Sequence, residues 1–160
     1  DGIRYGPRAE GSAMWEQIEQ TRGQLFGPEV RRRIMLGTYT LSAGYYDAYY
    51  RRAQQVRTLI RRDFEAAFAK VDLLVTPTSP TVAFAIGQKI DNPLAMYLSD
   101  VFTLTSNLAG IPGLALPCGF HEGLPVGMQL LGKFFDETTL LRVGDAYQRV
   151  TNWHTQQPVL

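Results

Sequence analysis

Cysteine is almost missing from this chain. Cys118 stands alone among 160 residues, so no internal disulfide can form, and the two histidines, His121 and His154, leave too few ligands for a zinc site of familiar spacing. A reducing, cytoplasmic compartment fits that usage. Charge of one sign is lacking as well: 16 lysines and arginines against 15 acids leave a net charge of +1, too weak a field to point to nucleic acid or a membrane surface. No window approaches the roughly 18 consecutive apolar residues that a spanning helix needs, and no basic-then-apolar leader opens the chain. The first residues, Asp1-Gly2-Ile3-Arg4-Tyr5-Gly6-Pro7, form a turn-rich start without methionine, as expected of a piece of something longer.

What is present is a folded-protein balance, with 45% hydrophobic and 19% charged residues. A chain of this length supports one packed core, so a single unit over residues 1–160 is expected. Helical spacing runs from Ser12, placed as an N-cap, to Leu25. Gly27-Pro28 breaks the chain, and Pro28 with Glu29 in the following turn starts a second helix reaching about Ala43, with Gly44 a point of division. From Tyr45 to Val71 the apolar residues Val56, Leu59, Ile60, Phe64, Ala67, Phe68 and Val71 recur at three- and four-residue steps, the stripe of one long amphipathic helix.

The continuous apolar run from Asp72 to Pro77 then reads as a strand buried on both faces. Asn92-Pro93 opens a short helical patch to about Tyr97 or Leu98, and a further helix spans about Asp100 to Ala109, stopped by Gly110 and Pro112. Leu114 to Cys118 and Val126 to Leu131, separated by the turn-rich stretch from Gly119 to Pro125, read as an antiparallel hairpin. Asp136 caps a last helix carrying Leu140, Leu141, Val143, Tyr147 and Val150. The class is α/β, a mixed sheet, part parallel and part antiparallel, flanked by helices.

Catalytic constellations are hard to find. No G-x-S-x-G turn occurs, and Ser12, Ser42, Ser79, Ser99 and Ser106 sit in cap, helix or loop contexts, remote in sequence from Lys70, Lys89 and Lys133. Cys118 and His121 invite a thiol–imidazole reading, but a cysteine ending an apolar run is a small buried hydrophobe and His121 falls in a polar turn. The arginines at 31–33, 51–52, 57 and 61–62 could track a phosphate backbone; a solvated helix face is favoured, because Glu65 follows Arg61 by one turn and Asp63 interrupts the run. Tyr45, Tyr46, Tyr49 and Tyr50 fall into i, i+4 pairs, favouring core packing with hydroxyls at the rim over base stacking.

Five runs carry a resemblance. They are RRRIMLGTYTLSAGYYDAYYRRAQQVRTLIRRDF from Arg31, DLLVTPTSPTVAF from Asp72, DNPLAMYLSDVFT from Asp91, NLAGIPGLALPCGF from Asn107 and GLPVGMQLLGKFFDETTLLRV from Gly123. Together they resemble the C-terminal part of the A subunits of tRNA-dependent amidotransferases, within the amidase signature family. NLAGIPG and the G-M-Q hairpin are shared loosely across that family, whereas LGTYTLSAGYYDAYY and PLAMYLSD resemble the tRNA-dependent subunits in particular. Pro7 and Thr105-Ser106 depart from the usual pattern in loop detail.

The resemblance implies an amidase signature fold and a parent subunit that hydrolyses glutamine through an acyl-enzyme. The lysine and two serines that do this lie in the N-terminal half, and no residue here matches them, so no catalytic residue is assigned. It also implies B and C subunits as partners, tRNA engaged indirectly through the complex, ATP and Mg used at the B subunit, no cofactor in this chain and no membrane. Two substrate residues carry over. Arg33 matches the arginine that holds the glutamine α-carboxylate, and Asp100 the acid that holds its α-ammonium, roles suited to a guanidinium fork and an acceptor-only carboxylate. Without the resemblance, Arg33 is a surface residue of a basic triplet and Asp100 a helix cap. A stand-alone amidase of the same fold, or a non-catalytic RNA-binding module, are the competing readings.

Overall fold

A computed structural model describes residues 4–157. The chain resolves into two compact units, Asp1–Gln54 and Gln55–Leu160.

In the first unit, helix α1 spans Met14–Leu25 and α2 spans Pro28–Leu41. The N-cap of α1 is Ala13 rather than Ser12. Glu16 is the reason: its carboxylate accepts both the Ser12 N–H at 2.8 Å and the Ser12 hydroxyl at 2.5 Å, so Ser12 is drawn to the acid instead of to the helix amides. Those hydrogen bonds hold the Glu16 carboxyl below its ordinary range. Pro28 opens α2 as expected. One turn in, Arg31 reaches back and donates to the carbonyls of Gly23 and Phe26, both at 2.7 Å, covering oxygens that α1 leaves unpaired at its end.

The division foreseen at Gly44 is real. Helix α2 ends at Leu41 with Ser42 extended, and Gly44, at a φ of +85°, lies between it and the next helical stretch, which starts at Tyr46. The long helix expected from Tyr45 to Val71 is not uniform: Tyr46–Arg51 is π-helical, α3 proper is Arg52–Phe68, and Val71 lies outside it, 42% exposed. A six-residue wide turn is too short for a 3.6-residue period to reveal. The tyrosine pairs form as predicted, with ring centroids 5.9 Å apart for Tyr45 and Tyr49 and 5.0 Å for Tyr46 and Tyr50. They are exposed, however, not packed into a core of this chain. Tyr39 adds a ring 4.4 Å from Tyr45, and its hydrogen bond to the Tyr45 hydroxyl raises its phenol above the ordinary value.

The second unit is built on a sheet of β1 (Leu73–Pro77), β2 (Gly113–His121) and β3 (Leu124–Gly132), in the order β1-β3-β2. Between β1 and β2 the chain makes α4 (Pro93–Tyr97), a 3₁₀ turn (Leu98–Asp100) and α5 (Val101–Ala109), and after β3 comes α6 (Glu137–Val150). Both ladders are antiparallel, so the expected parallel pair is not found among the described residues. The helical crossover does set β2 in the same direction as β1. The hairpin then returns β3 into the space between them, and each strand meets only an antiparallel neighbour.

The hairpin turn is tighter than its glycine-rich sequence suggests. Glu122 and Gly123 alone form it, with φ of +52° and +77°, the two left-handed residues whose twist suits a two-residue hairpin loop. Cys118 sits where the register shifts between Pro117 and Gly119. It is half-buried rather than buried, its thiol donating to the Val126 carbonyl at 3.5 Å.

Two apolar clusters cover the two faces of the sheet. On one, Leu116 and Leu130 pack with Leu140, Val143 and Tyr147 of α6. On the other, Leu131 packs with Phe68 and Phe64 of α3 and with Ala109 and Ile111 at the end of α5. Strand β1 is not buried on both faces as its composition suggested: Val75 is 59% exposed, since β1 is an edge.

Helix α6 begins with Asp136, whose Oδ1 accepts the Thr139 N–H at 3.3 Å, and it approaches the sheet at Gly144. A Cβ there would lie 2.7 Å from Leu114 Cδ2 and 3.4 Å from Leu116 Cδ1. The expected result for Gly144→Val is a loss of about 1–3 kcal/mol, read as a lower urea midpoint, because overpacking outweighs the small helix-propensity gain over glycine. An unchanged midpoint would show that Leu114 swings clear at no cost.

Candidate functional site

Arg33 lies on α2 in the first unit. Close to the proline start, it shares a helix face with Glu29, to which it donates Nε–H at 2.8 Å while Arg32 donates to the other carboxylate oxygen at 2.6 Å. Both arginines keep more than half of their side-chain surface exposed, so these pairs add little to stability. They do restrain the guanidinium along the helix.

Asp100 lies in the second unit, at the junction between the 3₁₀ turn and α5. It occupies the N-cap position of α5, as the sequence allowed, yet its carboxylate makes no capping hydrogen bond. Its carbonyl oxygen accepts the Thr103 hydroxyl at 3.2 Å, fixing the backbone while the exposed acid group is left to solvent. A helix N-terminus stabilises negative charge at that point.

Two features around Asp100 were not legible in the sequence. Lys89, ten residues before Ser99, donates Nζ–H to Ser99 Oγ at 2.9 Å and stacks its ammonium 3.9 Å from the Phe84 ring centroid. With the ammonium as donor, this serine–lysine pair braces the turn next to Asp100 and does not activate a nucleophile. Ser99 in turn donates to the Ala95 carbonyl at 3.3 Å. The second feature is Gln129 on β3, a buried polar residue at 5% exposure. Its Nε2 donates to Thr76 Oγ1 at 2.8 Å and to the Phe102 carbonyl in the first turn of α5 at 3.0 Å.

Beside this region an open cavity of about 950 Å³ is lined by the loop after β1, by Phe102 and by the hairpin turn at His121 and Glu122. Its walls are mainly apolar, with Thr78, Ser79 and His121 among the polar groups. Cys118 and His121 are not joined by a hydrogen bond, since the thiol is directed to Val126. Among the described residues, no group of three or more His, Cys, Asp or Glu side chains could hold a metal ion, and no helix is long and apolar enough to cross a membrane.

The arginines expected to form a solvated face partly do so: Arg61 pairs with Glu65 at 2.9 Å. Others have packing roles. Arg57 donates to the Leu108 carbonyl at 2.8 Å, and Arg61 itself, besides its ion pair, places its guanidinium 4.3 Å from the Phe134 ring centroid.

The amidase family profile matches residues 2–141. The chain belongs to the amidase family. Over all 160 residues it is 79% identical to the A subunit of the glutamyl-tRNA(Gln) amidotransferase of Chloroflexus aurantiacus, of which it covers 33%. It is 69% identical over 158 residues to the protein of the same name from Roseiflexus castenholzii, covering 99% of this chain and 32% of that one. The chain therefore spans about a third of the length of the curated relatives it matches. Among solved structures, the A subunit of the glutamyl-tRNA(Gln) amidotransferase of Thermotoga maritima aligns with a TM-score of 0.65 and 44% identity, covering 86% of this chain and 30% of that one. A crystal structure described as an amidase aligns with a TM-score of 0.63 and 25% identity over 84% of this chain and 32% of its own length. The fold is that of the amidase signature proteins, as the sequence resemblance implied.

Proposed function

We propose that this chain is the glutamine-holding portion of the glutaminase subunit of a tRNA-dependent amidotransferase. The observation that carries the reading is the 79% identity, over every residue of the chain, to a protein named as the A subunit of a glutamyl-tRNA(Gln) amidotransferase. In this reading Arg33 pairs its guanidinium with the α-carboxylate of glutamine, and Asp100 accepts hydrogen bonds from the α-ammonium. The exposed guanidinium of Arg33 and the uncapped carboxylate of Asp100 support those assignments.

The acyl-transfer groups, a lysine and two serines, come from the part of the parent protein outside these 160 residues. Ammonia released from glutamine passes to a B subunit, where ATP with Mg activates glutamate or aspartate carried on the wrong tRNA. A small C subunit binds along the glutaminase. No cofactor resides in this chain, and the assembly works in the cytoplasm.

The test is direct. The full-length glutaminase, co-expressed with its B and C partners, should release ammonia from glutamine and convert misacylated Glu-tRNA or Asp-tRNA to the amide. The isolated chain of 160 residues should release none above a buffer control, since substrate contacts alone do not replace a nucleophile and its base. Hydrolysis of simple amides by the full-length protein without partners, with no preference for glutamine, would favour a stand-alone amidase instead.

A further inference from the structure

Gln129 lies in the middle strand of the sheet, opposite Thr76 across the β1–β3 ladder. It is almost fully enclosed, and a primary amide placed there has two hydrogens to satisfy. Both are used, one on the Thr76 hydroxyl of β1 and the other on the Phe102 carbonyl of α5. The amide thus ties three elements together. Of the three, α5 is the one that carries a candidate substrate group, because Phe102 lies two residues after Asp100.

The far end of α5 has anchors of its own. Ala109 and Ile111 belong to the cluster around Leu131, and Arg57 donates to the Leu108 carbonyl, also in the last turn. At the near end Val101 and Leu104 are exposed, at 42% and 54%, while Phe102 and Thr103 between them are half-buried. The hydrogen bond from Gln129 to Phe102 is the described polar tether of this first turn to the sheet. Lys89 on Ser99 braces the preceding turn from the loop side.

We infer that Gln129 is a positioning residue for the proposed glutamine site, setting the height and direction of Asp100 through the first turn of α5. This rests on the reading of Asp100 as the α-ammonium acceptor. Charge-assisted hydrogen bonds tolerate displacements of only a few tenths of an ångström before they lengthen. A first turn freed from the sheet misplaces the carboxylate while the core at the other end of α5 stays packed. The chemistry selects the residue type. Glutamate at 129 cannot donate to the Phe102 carbonyl and would bury a charge against it, and methionine fills the same space but donates nothing.

The experiment uses the full-length glutaminase in its complex and compares glutamine with glutaramate, which is glutamine without its α-ammonium. Gln129→Met should raise the glutamine KM about tenfold, below the roughly hundredfold that a full 1 Å misplacement can cost, and should not raise that for glutaramate. Asp100→Asn should raise the glutamine KM as well, and the double variant should add little to it, since both changes act on one contact. If Gln129→Met fails to fold, Thr76→Val removes the strand-side partner of the amide and should move the glutamine KM the same way by a smaller factor. An Asp100→Asn effect with no response to Gln129→Met or Thr76→Val overturns the positioning role alone. Equal losses on both substrates, or full additivity with Asp100→Asn, also overturn it. No effect of Asp100→Asn on glutamine overturns both the positioning role and the substrate assignment beneath it.

Discussion

On the proposed function, the expected result of Arg33→Ala in the full-length protein is a rise of roughly two orders of magnitude in the KM for glutamine. Removing one partner of a desolvated charge pair costs about 2–5 kcal/mol, much of it from the charge left without its counterpart. The magnitude separates this role from the alternative. A solvent-exposed pair such as Arg33 with Glu29 contributes about 0.2–1 kcal/mol, so a purely surface arginine would leave glutamine kinetics unchanged. Arg33→Lys restores only part of the loss, because an ammonium cannot reproduce two parallel hydrogen bonds to a carboxylate. A fall in kcat accompanies the KM change to the extent that the scissile amide is misplaced. Steady-state ammonia release across a glutamine titration measures both, and an unchanged KM for Arg33→Ala returns this residue to the surface of α2.

The second large effect concerns stability. Leu130 is 2% exposed and lies on the middle strand, packed against Leu116 and Leu140. Leu130→Ala costs about 2–5 kcal/mol, the lost transfer free energy plus the cavity that strands and helix cannot collapse to fill. The urea midpoint should fall with little change in slope. By contrast Leu141, one position from the buried Leu140 but 61% exposed, tolerates alanine in this chain's own packing with a change near zero, within about 0.5 kcal/mol. A loss below about 1 kcal/mol for Leu130→Ala would mean that the sheet does not close around this residue.

Some large apolar side chains are left exposed in each unit. Val75, on an edge strand of the second unit, is exposed, and so is the ring cluster of Tyr39, Tyr45 and Tyr49 in the first.

Much of this was written locally. The proline at the start of α2, the αL glycine at 110 that ends α5, the aspartate capping α6 and its apolar stripe act over four or five residues, and those features fall where the sequence places them. Family membership was equally legible, through runs such as LGTYTLSAGYYDAYY and NLAGIPG. Arg33 and Asp100 came from that resemblance and not from spacing, because a residue's chemistry in isolation cannot distinguish a ligand from a surface charge.

Long-range pairing decided the rest. An apolar run such as Leu73 to Val75 does not encode which neighbours it will have, so the sequence could not tell a strand flanked on both sides from the antiparallel edge that β1 became. The return of β3 between β1 and β2 depends on a two-residue turn at Glu122 and Gly123 within a longer stretch of turn-forming residues. Gln129 and Lys89 acquire their roles only when partners 53 and 10 residues away are brought within hydrogen-bonding distance. The sequence alone thus settled the family, the class and those helix ends set by a local proline, glycine or aspartate, at Pro28, Gly110 and Asp136. The tertiary structure settled the strand order and the polar ties around Asp100, because a hydrogen bond between distant residues exists only after the chain has closed the loop between them.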